Sequence, residues 1–151
     1  MAKVVVGGLL TASMLLGGVL YWRYAGSERL VRAAAADLAA RGRDLDGEEC
    51  VTRVLDWGRH CAAMKIVCDE AVAPLVRTCL RARDRAGFCR ALSPRLDTHF
   101  SFERCHERGY GRRNRLCAEA YLAVVRHCRS LEADRAAGAT ARAAAPSEVI
   151  P

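Results

Sequence analysis

Eight cysteines in 151 residues are the side chains of this sequence best able to do chemistry. They stand at Cys50, Cys61, Cys68, Cys79, Cys89, Cys105, Cys117 and Cys128, with 10, 6, 10, 9, 15, 11 and 10 residues between them. Sulfur in such a set can ligate a metal, exchange with another disulfide or cross-link the chain. No C-x-x-C occurs, so the spacings of zinc knuckles, ferredoxin clusters and thioredoxin-type exchangers are absent, and with no C-x-x-C-H so is c-type haem attachment. Three of the four histidines adjoin a cysteine (His60, His106 and His127), and His99 stands apart. Neighbours on a helix diverge by about 100°, so one member of each Cys/His pair would face away from a shared ion. The expectation is surface histidines, with no metal and no cofactor. There is no nucleophile elbow, no H-E-x-x-H, no P-loop and no dinucleotide fingerprint. No catalytic residue is therefore assigned, and the chain is expected to be non-enzymatic. Cross-linking is the remaining use for an even number of patterned cysteines; its alternative is eight buried free thiols in a reducing compartment.

The elements that would carry these sulfurs are helices. Eleven positions make three turns plus about 20°, so the members of Cys50/Cys61, Cys68/Cys79 and Cys117/Cys128 face the same way, about 16 Å apart. They are too far apart to bond within a pair, since a disulfide needs Cα atoms within about 7 Å. Cys50, Val54, Trp57, Cys61, Met64 and Cys68 fall on one stripe. Val72, Leu75, Cys79 and Ala82 form a second, and Cys117, Tyr121, Val124, Cys128 and Leu131 a third. If 50–61 and 68–79 are antiparallel arms, Cys61 meets Cys68 at the turn and Cys50 meets Cys79 at the open end. The second half gives Cys89 with Cys128 and Cys105 with Cys117, with an irregular first arm around Ser93-Pro94 and a turn at 109–111. The link 62–67 holds no Gly, Pro, Asn or Asp, which leaves open one long helix over 48–72 ending or kinking at Pro74. Eight cysteines allow 105 full pairings, and the sequence does not choose among them.

Two helical hairpins with cysteines at these intervals resemble the twin C-x9-C, coiled-coil-helix–coiled-coil-helix proteins of the mitochondrial intermembrane space. Cys50–Cys61 and Cys68–Cys79 carry the closest match, Cys117–Cys128 a third arm, and the resemblance covers roughly residues 46–131. The interval here is ten rather than nine; the nine-residue gap, Cys79–Cys89, falls between the two hairpins. The resemblance implies nested disulfides introduced by oxidative import, and a role among accessory subunits of respiratory complexes.

Residues 4–22 carry no charge, and as a helix they would span about 28 Å, near the hydrocarbon thickness of a bilayer. Tyr21, Trp22 and Tyr24 cluster at the end of the run beside Arg23, as at a membrane interface. A signal peptide is the alternative, but the cleavage positions near Gly26 lack the small-residue pattern. Gly7, Thr11 and Gly18 share a face on which another membrane helix could pack. Arg23, Arg29 and Arg32 following the run would place the remainder on the reducing side; the cysteines argue for the oxidising side and are given more weight.

The fold expected is therefore all-α, an N-terminal transmembrane helix followed by disulfide-stapled helical hairpins. Its divisions are a transmembrane anchor at 1–26, a connecting helix and turn at 27–45, a cysteine-stapled helical domain at 46–134 and a disordered tail at 135–151. Ser27 is expected to cap the connecting helix, which Gly42 stops, and Asp46 to cap the next, with Glu48 and Glu49 in its first turn. The net charge is +7. Arg104, Arg108, Arg112, Arg113 and Arg115 form a basic patch suited to anionic lipid or an acidic partner surface, or else are solvated faces of an Arg-rich chain. Nucleic acid is not an expected partner, for want of a reader motif. The function expected is a membrane-anchored accessory or assembly subunit of a larger membrane complex, plausibly respiratory. It would be a single-pass protein of the mitochondrial inner membrane facing the intermembrane space. The alternatives are a bacterial inner-membrane protein facing the periplasm and a thiol-based metal or redox carrier.

Overall fold

Asp46 opens the first helix of the hairpin region by a reciprocal cap. Its carboxylate accepts the Glu49 N–H at 2.7 Å, and the Glu49 carboxylate accepts the Asp46 N–H at 2.6 Å. Two of the amides that a helix start leaves without partners are thereby satisfied. In the computed structural model the order is α1 (Ala2–Arg41), α2 (Gly47–His60), α3 (Lys65–Arg81), α4 (Ala86–Leu92), a 3-10 turn (Ser93–Arg95), α5 (Phe100–Glu107) and α6 (Arg115–Ala144). The structure describes residues 2–96, 99–111 and 114–144, and the side chains within them except at 2–12, 95, 139 and 141–144. Among the described residues there is no strand, so the all-helical expectation holds.

α3 is the central rod, packed against α1, α2 and α6; α2 also meets α6, and α4 and α5 lie on α6. The sequence periodicity sets this arrangement. Cys68, Val72, Leu75 and Cys79 are buried along α3, Cys50, Val51, Val54 and Leu55 along α2, and Cys117, Tyr121, Val124 and Cys128 along α6. Phe100 of α5 meets the Tyr121 ring edge-on at 5.9 Å, closing the core at that end. Pro74 lies inside α3 without ending it. It is exposed, so the carbonyl it leaves without a donor is on the solvent side.

Among the described residues no helix is long and apolar enough to cross a membrane. This overturns the transmembrane helix expected over 1–26, and with it the single-pass membrane localisation. The helix does not stop at Arg23 as at an interface. It continues unbroken through Glu28, Arg29, Arg32 and Asp37 to Arg41. Its second half is amphipathic, with Ser27, Val31, Ala34, Ala35 and Leu38 turned toward the core. Of the packing face assigned to the anchor, Gly7 and Thr11 lie on α1, in the stretch whose side chains are not described. Gly18 has open space where a Cβ would stand, so nothing in this chain packs there.

Three boundaries also differ from expectation. Ser27 lies in mid-helix; its hydroxyl donates to the Arg23 carbonyl at 2.9 Å and accepts the Met64 N–H at 3.1 Å, which ties the α2–α3 link to α1. The chain does break between α2 and α3, although the link lacks turn residues, so the single helix over 48–72 does not form. Residues 135–144, expected in the tail, continue α6.

Candidate functional site

Four disulfides join the helices: Cys50–Cys79, Cys61–Cys68, Cys89–Cys128 and Cys105–Cys117, with Cα separations of 5.8, 6.1, 5.1 and 5.9 Å. Each hairpin has one bond near its turn and one at its open end, the nested arrangement that antiparallel arms require. No cysteine is free. The sulfurs are therefore occupied as cross-links.

The turn between α1 and α2 is held by a residue that periodicity could not single out. Arg85, 3% exposed, donates to the Gly42 carbonyl at 2.6 Å and the Leu45 carbonyl at 2.7 Å, and its guanidinium lies 3.7 Å from Cys50 Sγ. Burial, then the neighbouring Arg83, pulls its pKa down, while Asp46 and Glu49 oppose the shift. Arg83 adds a bond to the Arg43 carbonyl at 3.2 Å. The carbonyls left over where one helix ends and the next begins thus find charged donors.

Glu48 is the second unforeseen centre. Its carboxylate receives Arg104, Arg108 at 2.7 Å and the Tyr121 hydroxyl at 2.9 Å, so one α2 side chain binds α5, the turn after it and α6. Arg108 also donates to the Thr52 hydroxyl at 2.6 Å. Both guanidinium groups lie near the face of the Tyr121 ring, at 6.0 and 5.7 Å. Burial, then the Glu48 charge, raises the Tyr121 pKa, and the hydrogen bond to Glu48 raises that of Arg104. The expected basic patch is altered accordingly. Arg104 and Arg108 turn inward onto Glu48 and are not free to meet an anion, Arg115 is exposed, and Arg112 and Arg113 lie outside the described residues. No sequence rule finds this cluster, because Glu48 is 56 to 73 positions from the groups it binds.

The histidines do not converge. His60, His99 and His106 are exposed, whereas His127 is buried at 7% exposure, against the expectation that all four are surface groups. Its Nε2 has no hydrogen-bond partner, and burial, then Arg81 and Arg85, lowers its pKa. Among the described residues no three His, Cys, Asp or Glu side chains lie close enough together to hold a metal ion.

A concavity of about 680 Å³ forms a groove between α1 and the α2–α3 link. Trp22, Arg23, Arg29, Leu30, Ala33 and Met64 are among the residues that line it. Trp22 is 78% exposed. The only described polar side chain in the lining besides the two arginines is Ser27, whose hydroxyl is already engaged at both ends. The groove therefore offers apolar contact and positive charge. It does not offer a set of reactive groups.

No protein-family model, curated protein or solved structure matches this chain.

Proposed function

We propose that the chain is a non-enzymatic interaction module, an accessory or assembly component of a larger protein complex that works in an oxidising compartment. The observation that carries this reading is the complete use of eight cysteines in four bonds between neighbouring helices. Disulfides of this density persist where thiols are not kept reduced, and they hold small helical domains whose cores are modest. Here the core is built from Val, Leu, Ala and cystine around the aromatic pair Phe100 and Tyr121. Such a body presents fixed faces, and the large apolar side chains left outside it are concentrated on the first half of α1. The nested hairpins also support the likeness to the twin C-x9-C proteins, among which accessory subunits occur.

The test has two parts. Non-reducing mass spectrometry of the native protein should find four intact bonds in the stated pairs; eight free thiols would remove both the compartment and the role. A native gel of the source extract should show the chain migrating with a larger assembly, and migration as a clean monomer would remove the role alone.

A further inference from the structure

The groove between α1 and the α2–α3 link has a shape and charge that specify its occupant. Much of its lining is of small residues, among them Ala33, Ala62 and Ala63, which leave room for a ridge of larger side chains. Gly26 adds to that room, since a Cβ built there meets nothing within 4 Å. The lining also includes Trp22 and Leu30, both exposed and large. Buried apolar area here would supply the attraction and Trp22 an anchor of the kind that dominates interfaces. The charge along it is one-sided. Arg32 is paired with Glu28 at 3.0 Å and Arg41 with Asp37 at 2.7 Å, while Arg23 and Arg29 have no ion-pair partner among the described residues.

We propose that this groove docks an amphipathic helix of a partner protein that carries carboxylates beside its apolar ridge. The proposal rests on the interaction-module reading and names the partner's chemistry. A helix laying apolar residues at i, i+3, i+4 and i+7 into a groove between two segments is a recurring recognition mode. Carboxylates flanking that ridge would meet Arg23 and Arg29 and set the orientation. A second copy of this chain fits poorly. It would bring a chain of net charge +7 against Arg23 and Arg29. A flat lipid surface would meet the charges but would leave the groove unfilled.

The experiment uses the full oxidised chain and a library of helical peptides randomised at surface positions, selected for binding and then titrated, with Trp22 emission followed in a Trp57→Phe background so that it is the one tryptophan observed. The enriched peptides should be acidic with a helical apolar ridge, and should shift Trp22 emission to shorter wavelength. Ala33→Trp, which fills the groove from an exposed position, should weaken them by about tenfold or more. Arg23→Glu with Arg29→Glu should weaken them by about tenfold, and a peptide with its carboxylates changed to lysines should recover binding to that variant. Circular dichroism and the count of intact disulfides confirm that both variants fold. Enrichment of basic or uncharged peptides, binding indifferent to Ala33→Trp, or no enrichment would overturn the proposal. So would tighter binding to phosphatidylserine vesicles than to any peptide, or concentration-dependent dimers that occupy the groove. If the four bonds and the larger assembly are found but the groove variants leave the assembly intact, the docking proposal fails while the interaction-module reading stands.

Discussion

Gly42 sits where the end of α1 passes closest to the end of α3. A Cβ at this position would lie 2.6 Å from the Leu38 carbonyl oxygen, 2.8 Å from that of Cys79 and 2.8 Å from the Ala82 methyl. The two carbonyls are main-chain atoms, which cannot swing aside as a flexible side chain can: relieving Cys79 would require α1 and α3 to separate, and relieving Leu38 would require the turn that ends α1 to distort. Gly42→Ala is expected to destabilise the chain by about 1–3 kcal/mol, read as a lowered urea midpoint with the disulfides intact. An unchanged midpoint would mean the contact is looser than described. His127 gives a pH dependence of definite sign. The unfolded histidine titrates near its ordinary 6.5, while burial and the two nearby arginines hold the folded one lower. Its contribution to stability is therefore complete above pH 6.5. It is lost as the pH falls from there toward the depressed folded value, because the unfolded chain takes up a proton that the folded chain refuses. The slope from this group is at most about 1.4 kcal/mol per pH unit. The urea midpoint should be lower at pH 5.5 than at pH 7.5, and His127→Gln should flatten the difference; a midpoint that rises on acidification would contradict it.

At the scale of the helices, the balance between α2 and the second hairpin turns on Glu48. Removing its carboxylate in Glu48→Ala leaves Arg104, Arg108 and the buried Tyr121 hydroxyl without their shared acceptor. The expected loss is about 2 kcal/mol or more, with faster amide exchange in α5 than in α2, since α5 depends on this cluster for its hold on α2. Uniform exchange across both helices would argue that the cluster is incidental. The cluster also marks the limit of what the sequence could reveal. Local signals were legible: the reciprocal cap of Asp46 and Glu49, the stop at Gly42, and the cysteine seams that place Cys68, Val72, Leu75 and Cys79 on the inner face of α3. What was not legible depends on distant partners. Ser27 reads as a cap from its neighbours, yet its hydroxyl serves Met64, 37 positions away. The α2–α3 link contains no turn former and still bends, because Cys61–Cys68 and the Ser27 contact hold it bent. Arg104 and Arg108 read as a surface patch by composition and are drawn inward by a carboxylate that no spacing rule connects to them. An uncharged run resembles a membrane span until the helix is seen to continue past it as a packed, charged rod.

For the molecule as a whole, the four bonds are unequal, and the inequality follows from how much chain each one closes. Cross-linking restricts the unfolded state, and the restriction grows with the logarithm of the loop length. Cys61–Cys68 closes a separation of 7 and Cys89–Cys128 one of 39. The difference in loop entropy between them is about 1.5 kcal/mol at 25 °C. The long bond also ties α4 to α6, where few other contacts act: the Ser93 hydroxyl to Glu132 at 2.7 Å and Arg129 to the Leu96 carbonyl at 3.1 Å, both exposed. The short bond closes a link already fixed to α1 through Ser27. Replacing both cysteines by serine in each pair separately should therefore cost more for Cys89/Cys128 than for Cys61/Cys68, by at least about 1.5 kcal/mol in urea unfolding. The Cys89/Cys128 variant should lose protection chiefly in α4 and the 3-10 turn, leaving the α2–α3 hairpin ordered. If the short bond is instead the costlier to remove, the α2–α3 link is under tension that the cross-link restrains. The groove beside it would then open when Cys61–Cys68 is cut, and the rigidity assigned to that face would belong to one bond rather than to the packing of α1 on α3.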